Sequence, residues 1–121
     1  MGSVTSAIAV LALIAMLVAG PAPALAHHGW SSYDSGREMT VTGTIAGSGY
    51  EHPHGFVRLQ AGGKVWVVVL APPTRMENRG LPREALRAGA TATVVGYPKR
   101  DDPDEMRAER ITVAGKTTEL R

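Results

Sequence analysis

From Met39 onward the apolar residues of this chain recur at every second position, a period that fits β-strands and not amphipathic helices. In MTVTGTIAG, Met39, Val41 and Ile45 fall on one face and Thr40, Thr42 and Thr44 on the other. GFVRLQA repeats the pattern, setting Val57, Leu59 and Ala61 against Phe56, Arg58 and Gln60. Gly62 and Gly63 follow, a dipeptide that takes positive φ and closes a tight hairpin. KVWVVVL, from Lys64, is apolar on both faces, as expected of a central, covered strand.

The pattern then changes. Pro72 and Pro73 stop the sheet, and Thr74 to Glu77 has the spacing of a capping box, with Gly80 placed to end the turn. Pro82 suits the first position of a second short helix, PREALRAG, which Gly89 terminates. ATATVVGYPK and MRAERITVAG read as two closing strands. In the second, the apolar phase slips between Ala108 and Ile111, which predicts a bulge. RDDPDE, residues 100–105, falls at the loop joining them. Its carboxylates suit a solvated loop better than calcium, which needs about six or more oxygens at defined positions.

Three strands, a short helical segment and two more strands are the order of a small all-β barrel, OB-fold-like, with five strands and the helix between strands 3 and 4. An open five-stranded sheet is the competing architecture, and it would leave one face of VWVVVL uncovered. The expected shared core is Val41, Ile45, Val57, Leu59, Val67, Val69, Val94 and Ile111.

The front of the chain has a different character. Residues 7–19, AIAVLALIAMLVA, form an apolar run too short for a bilayer span of about 20 residues and suited to the core of an export signal. Gly20 and Pro21 break it, and Ala24-Leu25-Ala26 offers a small-x-small cleavage site. The expectation is a signal peptide over 1–26, cut to leave a single OB-like domain over 27–121 in the bacterial periplasm or outside the cell, with no stable membrane anchor. The leader carries no Lys or Arg, which departs from the usual signal, and an uncleaved N-terminal anchor is the alternative.

Composition narrows the function. Thirteen Lys and Arg against 11 Asp and Glu give a net charge of +2, and the two signs are interspersed along the chain, so nucleic acid binding has little electrostatic support. The absence of cysteine excludes a disulfide framework, a thiolate nucleophile and a Cys-type zinc site. No nucleophile-elbow pattern or phosphate loop occurs, Ser31 and Ser32 have no placed acidic partner, and Asp101 and Asp102 lack apolar surroundings to shift a pKa. The expectation is a non-enzyme.

The four histidines carry the remaining signal. They fall in two clusters, His27 and His28 at the expected mature terminus and His52 and His54 around Pro53. Cleavage would give His27 a free α-amine with a pKa near 7.7 to 8, which yields its proton to a metal near neutral pH. Amine and ring of one N-terminal histidine can chelate together, and a third nitrogen from a distant histidine completes a set that suits tetragonal Cu(II). In an extended segment His52 and His54 would project to the same side and supply that nitrogen. The candidate metal ligands are therefore His27, His28, His54 and His52, with copper the first expectation and zinc the second. Met39, Met76 and Met106 could add soft ligands, but at strand and helix positions they read as core filling.

HHGWSSYD, VTGTIAG, EHPHGFVRL, GLPREALRAGATATVVGY and MRAERITVAGK together resemble a family of small exported bacterial proteins of unknown function. Its members begin with a double histidine and carry an Asn-Pro-His turn before the second strand. The resemblance implies an OB-like barrel and no defined activity, and it maps the family's histidines onto His27, His28 and His54. His52 stands where that family has Asn, so the resemblance favours His54 over His52 as a ligand.

Two functions follow from different classes. One is an exported copper-binding protein, a carrier or buffer using the mature terminus and the Pro-His turn. The other is a metal-free β-barrel module that docks a periplasmic partner protein or small ligand through Trp30, Tyr33 and Phe56.

Overall fold

β1 (Met39–Gly49), β2 (Phe56–Ala61), β3 (Lys64–Val69), α1 (Pro73–Asn78), β4 (Thr91–Lys99), β5 (Asp102–Val113) and β6 (Lys116–Glu119) succeed one another in the computed structural model, which describes residues 29–121. Two 3₁₀ turns, Trp30–Ser32 and Arg83–Leu86, complete the elements. The expected leader, His27 and His28 lie outside the described residues. Among the described residues no helix is long and apolar enough to cross a membrane.

The strands hydrogen-bond in the order β3-β2-β1-β4-β5-β6, and β3 also pairs with β5 in parallel. That last pairing joins the two ends of a five-stranded sheet, so β1 to β5 close into the expected all-β barrel, with α1 between β3 and β4. Closure removes the edges an open sheet would leave unpaired. β6 lies outside the ring on β5, reached through a two-residue turn with Ala114 at φ 50 and Gly115 at φ 76. No expectation covered β6, because KTTE shows no apolar alternation.

Alternation is realised where it was expected. Along β1, Ile45 is buried while Thr40, Thr42 and Thr44 are exposed; along β2, Val57 and Leu59 are buried while Arg58 and Gln60 are exposed. Gly62 and Gly63, at φ 55 and 78, make the β2–β3 turn. The core joins Ile45, Val57, Leu59, Val94 and Ile111 to Met76 and Met106, with Val41 packed against it from a half-buried position.

Val67 and Val69 are a correction. Val68 pairs with Val57 and Trp66 with Leu59, and directly paired residues share a face. The inward phase of β3 is therefore Trp66 and Val68, and Val67 and Val69 face the other way, half-covered. β3 is bonded on both sides, yet its outer face is only partly covered, and Val65 is 42% exposed.

Three further boundaries move. α1 starts at Pro73, and Pro72 caps it without a side-chain hydrogen bond, so Thr74 is not a capping residue. Proline at the first helical position has its φ preset and no N–H to satisfy. The expected second helix is a single 3₁₀ turn. RDDPDE is not wholly a loop, since β5 begins at Asp102. At the other end of α1 the expectation holds: Gly80, at φ 79, donates to Glu77 O, and Leu81 N–H donates to Met76 O.

The bulge lies where the phase slips. Val95 pairs with Arg110 and Gly96 with Ala108, which leaves Glu109 as the extra residue. A Cβ on Gly96 would collide with the carbonyl oxygen of Arg107, so this close approach requires glycine. Met106, Arg107 and Ala108 are consequently all buried in succession.

Candidate functional site at the barrel seam

The chain from Gly29 is tied to the far end of β4. Asp34 N–H donates to Pro98 O at 2.9 Å, Arg100 N–H donates to Ser32 O at 3.0 Å, and Tyr33 forms an antiparallel bridge with Lys99. The residues just after the expected cleavage point are thereby held against the barrel.

His54 reaches the same place from another element. Gly55 N–H donates to Ala71 O at 2.9 Å and Leu70 N–H donates to Gly55 O at 2.8 Å, which extends the β2–β3 ladder past Phe56 and Val69. His54 thus sits beside the end of β3. Arg107 arrives from β5, where it pairs with Val69 across the parallel seam.

Gly29, Ser32, Tyr33, His54, Val69, Lys99 and Arg107 together line a cavity of about 190 Å³. The Arg107 guanidinium lies 3.2 Å from His54 Nε2. A guanidinium only donates, so Nε2 is the acceptor and the neutral ring carries its proton on Nδ1. The same guanidinium stands 4.4 Å from the Trp30 ring centroid, and that of Arg121 4.6 Å from it, while Tyr97 meets Trp30 edge-on at 6.0 Å.

Tyr33 Oη donates to Glu105 Oε2 at 2.7 Å, and Lys99 Nζ lies 3.6 Å from the same oxygen. Burial, then the hydrogen bond to Glu105, pushes the Tyr33 phenol far above its ordinary range, so it remains a donor through alkaline pH. Burial lowers Arg107 from its ordinary value, but a guanidinium stays charged at neutral pH. The cavity wall is an imidazole set among two cations.

Of the expected ligands, His54 lines this cavity. His52 is exposed in a bend, joined to Pro53 by a cis peptide bond, and does not line the cavity. The two were expected to project together, but the same-side rule holds only in extended strands, and β2 begins two residues beyond His54. His27 and His28 lie outside the described residues, although His28 is bonded to Gly29, a lining residue. Among the described residues no three His, Cys, Asp or Glu side chains gather as a metal cluster.

Trp30, Tyr33 and Phe56 do not form the expected exposed aromatic surface. Tyr33 is buried, Trp30 is covered by guanidinium groups, and Phe56 is half-buried beside Arg58. Sequence reasoning missed Arg107, Lys99 and Glu105. An arginine between Met106 and Ala108 carries no mark of burial until the bulge is placed in register.

The model of a family of unknown function, DUF6152, matches residues 14–107, and the chain belongs to that family. No curated protein matches it. Among solved structures, a chain in the crystal structure of a TiaS–tRNA–ATP complex is similar over 74% of this chain, with a TM-score of 0.51 and 21% identity. This chain spans 20% of that one, and at such identity the likeness concerns the fold alone.

Proposed function

We propose that this member of the family is an exported copper-binding protein, a carrier or buffer, whose metal is held by the amine and ring of His27 with His54 as the distant nitrogen. The observation that supports the reading is the convergence of His54 and Gly29 on one cavity. Only one peptide bond separates Gly29 from His28, and His27 is the next residue along. Gly29 and His54, far apart in sequence, are brought to this cavity by unrelated hydrogen-bond ladders.

The described residues fit the role of a third ligand under one condition. A metal on either nitrogen of a neutral His54 ring leaves the other protonated, so no acceptor then remains for Arg107. Copper at His54 therefore requires Arg107 to give up that hydrogen bond. Copper held there by nitrogen ligands would suit carriage or buffering. Zinc is the second candidate metal. His28 would flank the chelate, and His52, exposed and outside the cavity, has the weakest claim.

The test is a chelator-competition titration of the exported protein with Cu(II). Intact mass should place the first residue at His27, and His54→Ala should weaken binding about tenfold or more, with His52→Ala close to wild type. Equal losses for the two variants would overturn the assignment.

A metal-free module is the second reading, and the pair of cations at the cavity favours it. Arg107, with Lys99 turning from Glu105, would receive an acidic group of a periplasmic partner. Acetate binding by the copper-free protein, lost in Lys99→Gln, would favour this reading over the first.

A further inference from the structure

A larger cavity, about 620 Å³, lies at the opposite end of β4, and it shares no residue with the His54 cavity. Its size falls within the range of about 300 to 1,000 Å³ usual for small-molecule sites. Leu81, at the end of α1's closing motif, and Val113, at the end of β5, supply buried apolar wall, and Ala85 and Ala90 are half-buried beside them. Gly80 and Gly89, both at positive φ, line it without side chains, so the backbone turns that shape the mouth also keep it open.

Its charged groups all carry one sign. Arg87 and Lys116 stand at the cavity and no carboxylate lines it. Arg87 is exposed and its guanidinium has no hydrogen bond or ion pair among the described residues. Lys116 Nζ donates once, to Gly80 O at 2.8 Å, which leaves two of its three donors available. An apolar floor beneath two cations with donors to spare matches a ligand with an apolar body and a single anionic head.

We infer that this cavity is a binding site for a small amphipathic carboxylate, an alkyl-chain acid whose tail lies against Leu81, Ala85 and Val113 and whose carboxylate meets Arg87 and Lys116. The site does not depend on the copper reading. It would give the barrel a second, independent ligand.

The probe is octanoate, with 1-octanol as the uncharged counterpart, followed by two-dimensional NMR of the protein. Octanoate should produce saturable shifts at the amides of Leu81, Ala85 and Val113, and octanol should bind at least tenfold more weakly. The double variant Arg87→Gln, Lys116→Gln, altered only at exposed side chains, should lose at least tenfold in octanoate affinity while octanol binding stays the same. Shifts that fail to saturate or fall elsewhere would overturn the inference. So would octanol binding as tightly as octanoate, or octanoate binding undiminished in the double variant.

Discussion

Arg107 donates to His54 Nε2 across 3.2 Å, and this bond spans the parallel seam that closes the barrel. It sets the resting tautomer of the imidazole and occupies the lone pair a metal would use. Removing the guanidinium removes a competitor and a neighbouring positive charge. Arg107→Leu should therefore raise Cu(II) affinity by about tenfold, the scale of one charge-assisted hydrogen bond. Chelator competition measures it, and an unchanged or weaker affinity would remove His54 from the ligand set.

The core assignment on β3 predicts a phase-specific response. Val68, fully buried and paired with Val57, should lose about 1 to 3 kcal/mol on truncation to Ala. Val67→Ala, from the half-covered face, should cost less than about 1 kcal/mol. Urea denaturation of the two variants gives the comparison, and a reversed order would mean the strand is rotated.

Gly96 predicts the cost of crowding the bulge. A methyl there would meet the Arg107 carbonyl, so Gly96→Ala should destabilise by about 1 to 3 kcal/mol. It should also shift the NMR signals of His54, because Arg107 is carried on the displaced backbone. Loss of stability without any change at His54 would separate the bulge from the site.

The buried phenol of Tyr33 predicts an alkaline limit. Its folded pKa is raised by burial and by Glu105, so above about pH 10 the unfolded chain releases the tyrosine proton while the folded chain keeps it. The unfolded state then binds fewer protons, and stability must fall as pH rises. Tyr50 and Tyr97 are raised in the same direction, so the fall is shared. Tyr33→Phe should flatten the decline seen in urea midpoints between pH 9 and 11, as about one pH unit either side of the free phenol's pKa.

The alternation in β1 and β2, the Gly62-Gly63 turn and the phase slip in β5 were legible because each rests on local rules: a period of two, positive φ, and one extra residue. β3 was not, because five apolar residues in succession leave the inward phase open until Val57 and Leu59 choose it through pairing. β6 was silent because its burial rests on Thr118 and the adjoining Leu120 with no repeat to read. At the site, His54 was legible as a rare residue type beside proline. Arg107 was not, since its burial depends on a parallel pairing between β3 and β5 that no local signal encodes.

The proposed copper chelate stands or falls on the amino terminus of His27. Electron paramagnetic resonance of the processed protein with one equivalent of Cu(II) should give a nitrogen-rich tetragonal spectrum, and affinity should fall as the pH drops below about 6.5, where amine and imidazole hold their protons. A version carrying one added residue ahead of His27 should keep the fold, lose that spectrum and bind copper far more weakly. Equal spectra and equal affinities for the two forms would contradict the chelate and leave the double histidine as a polar start to the domain.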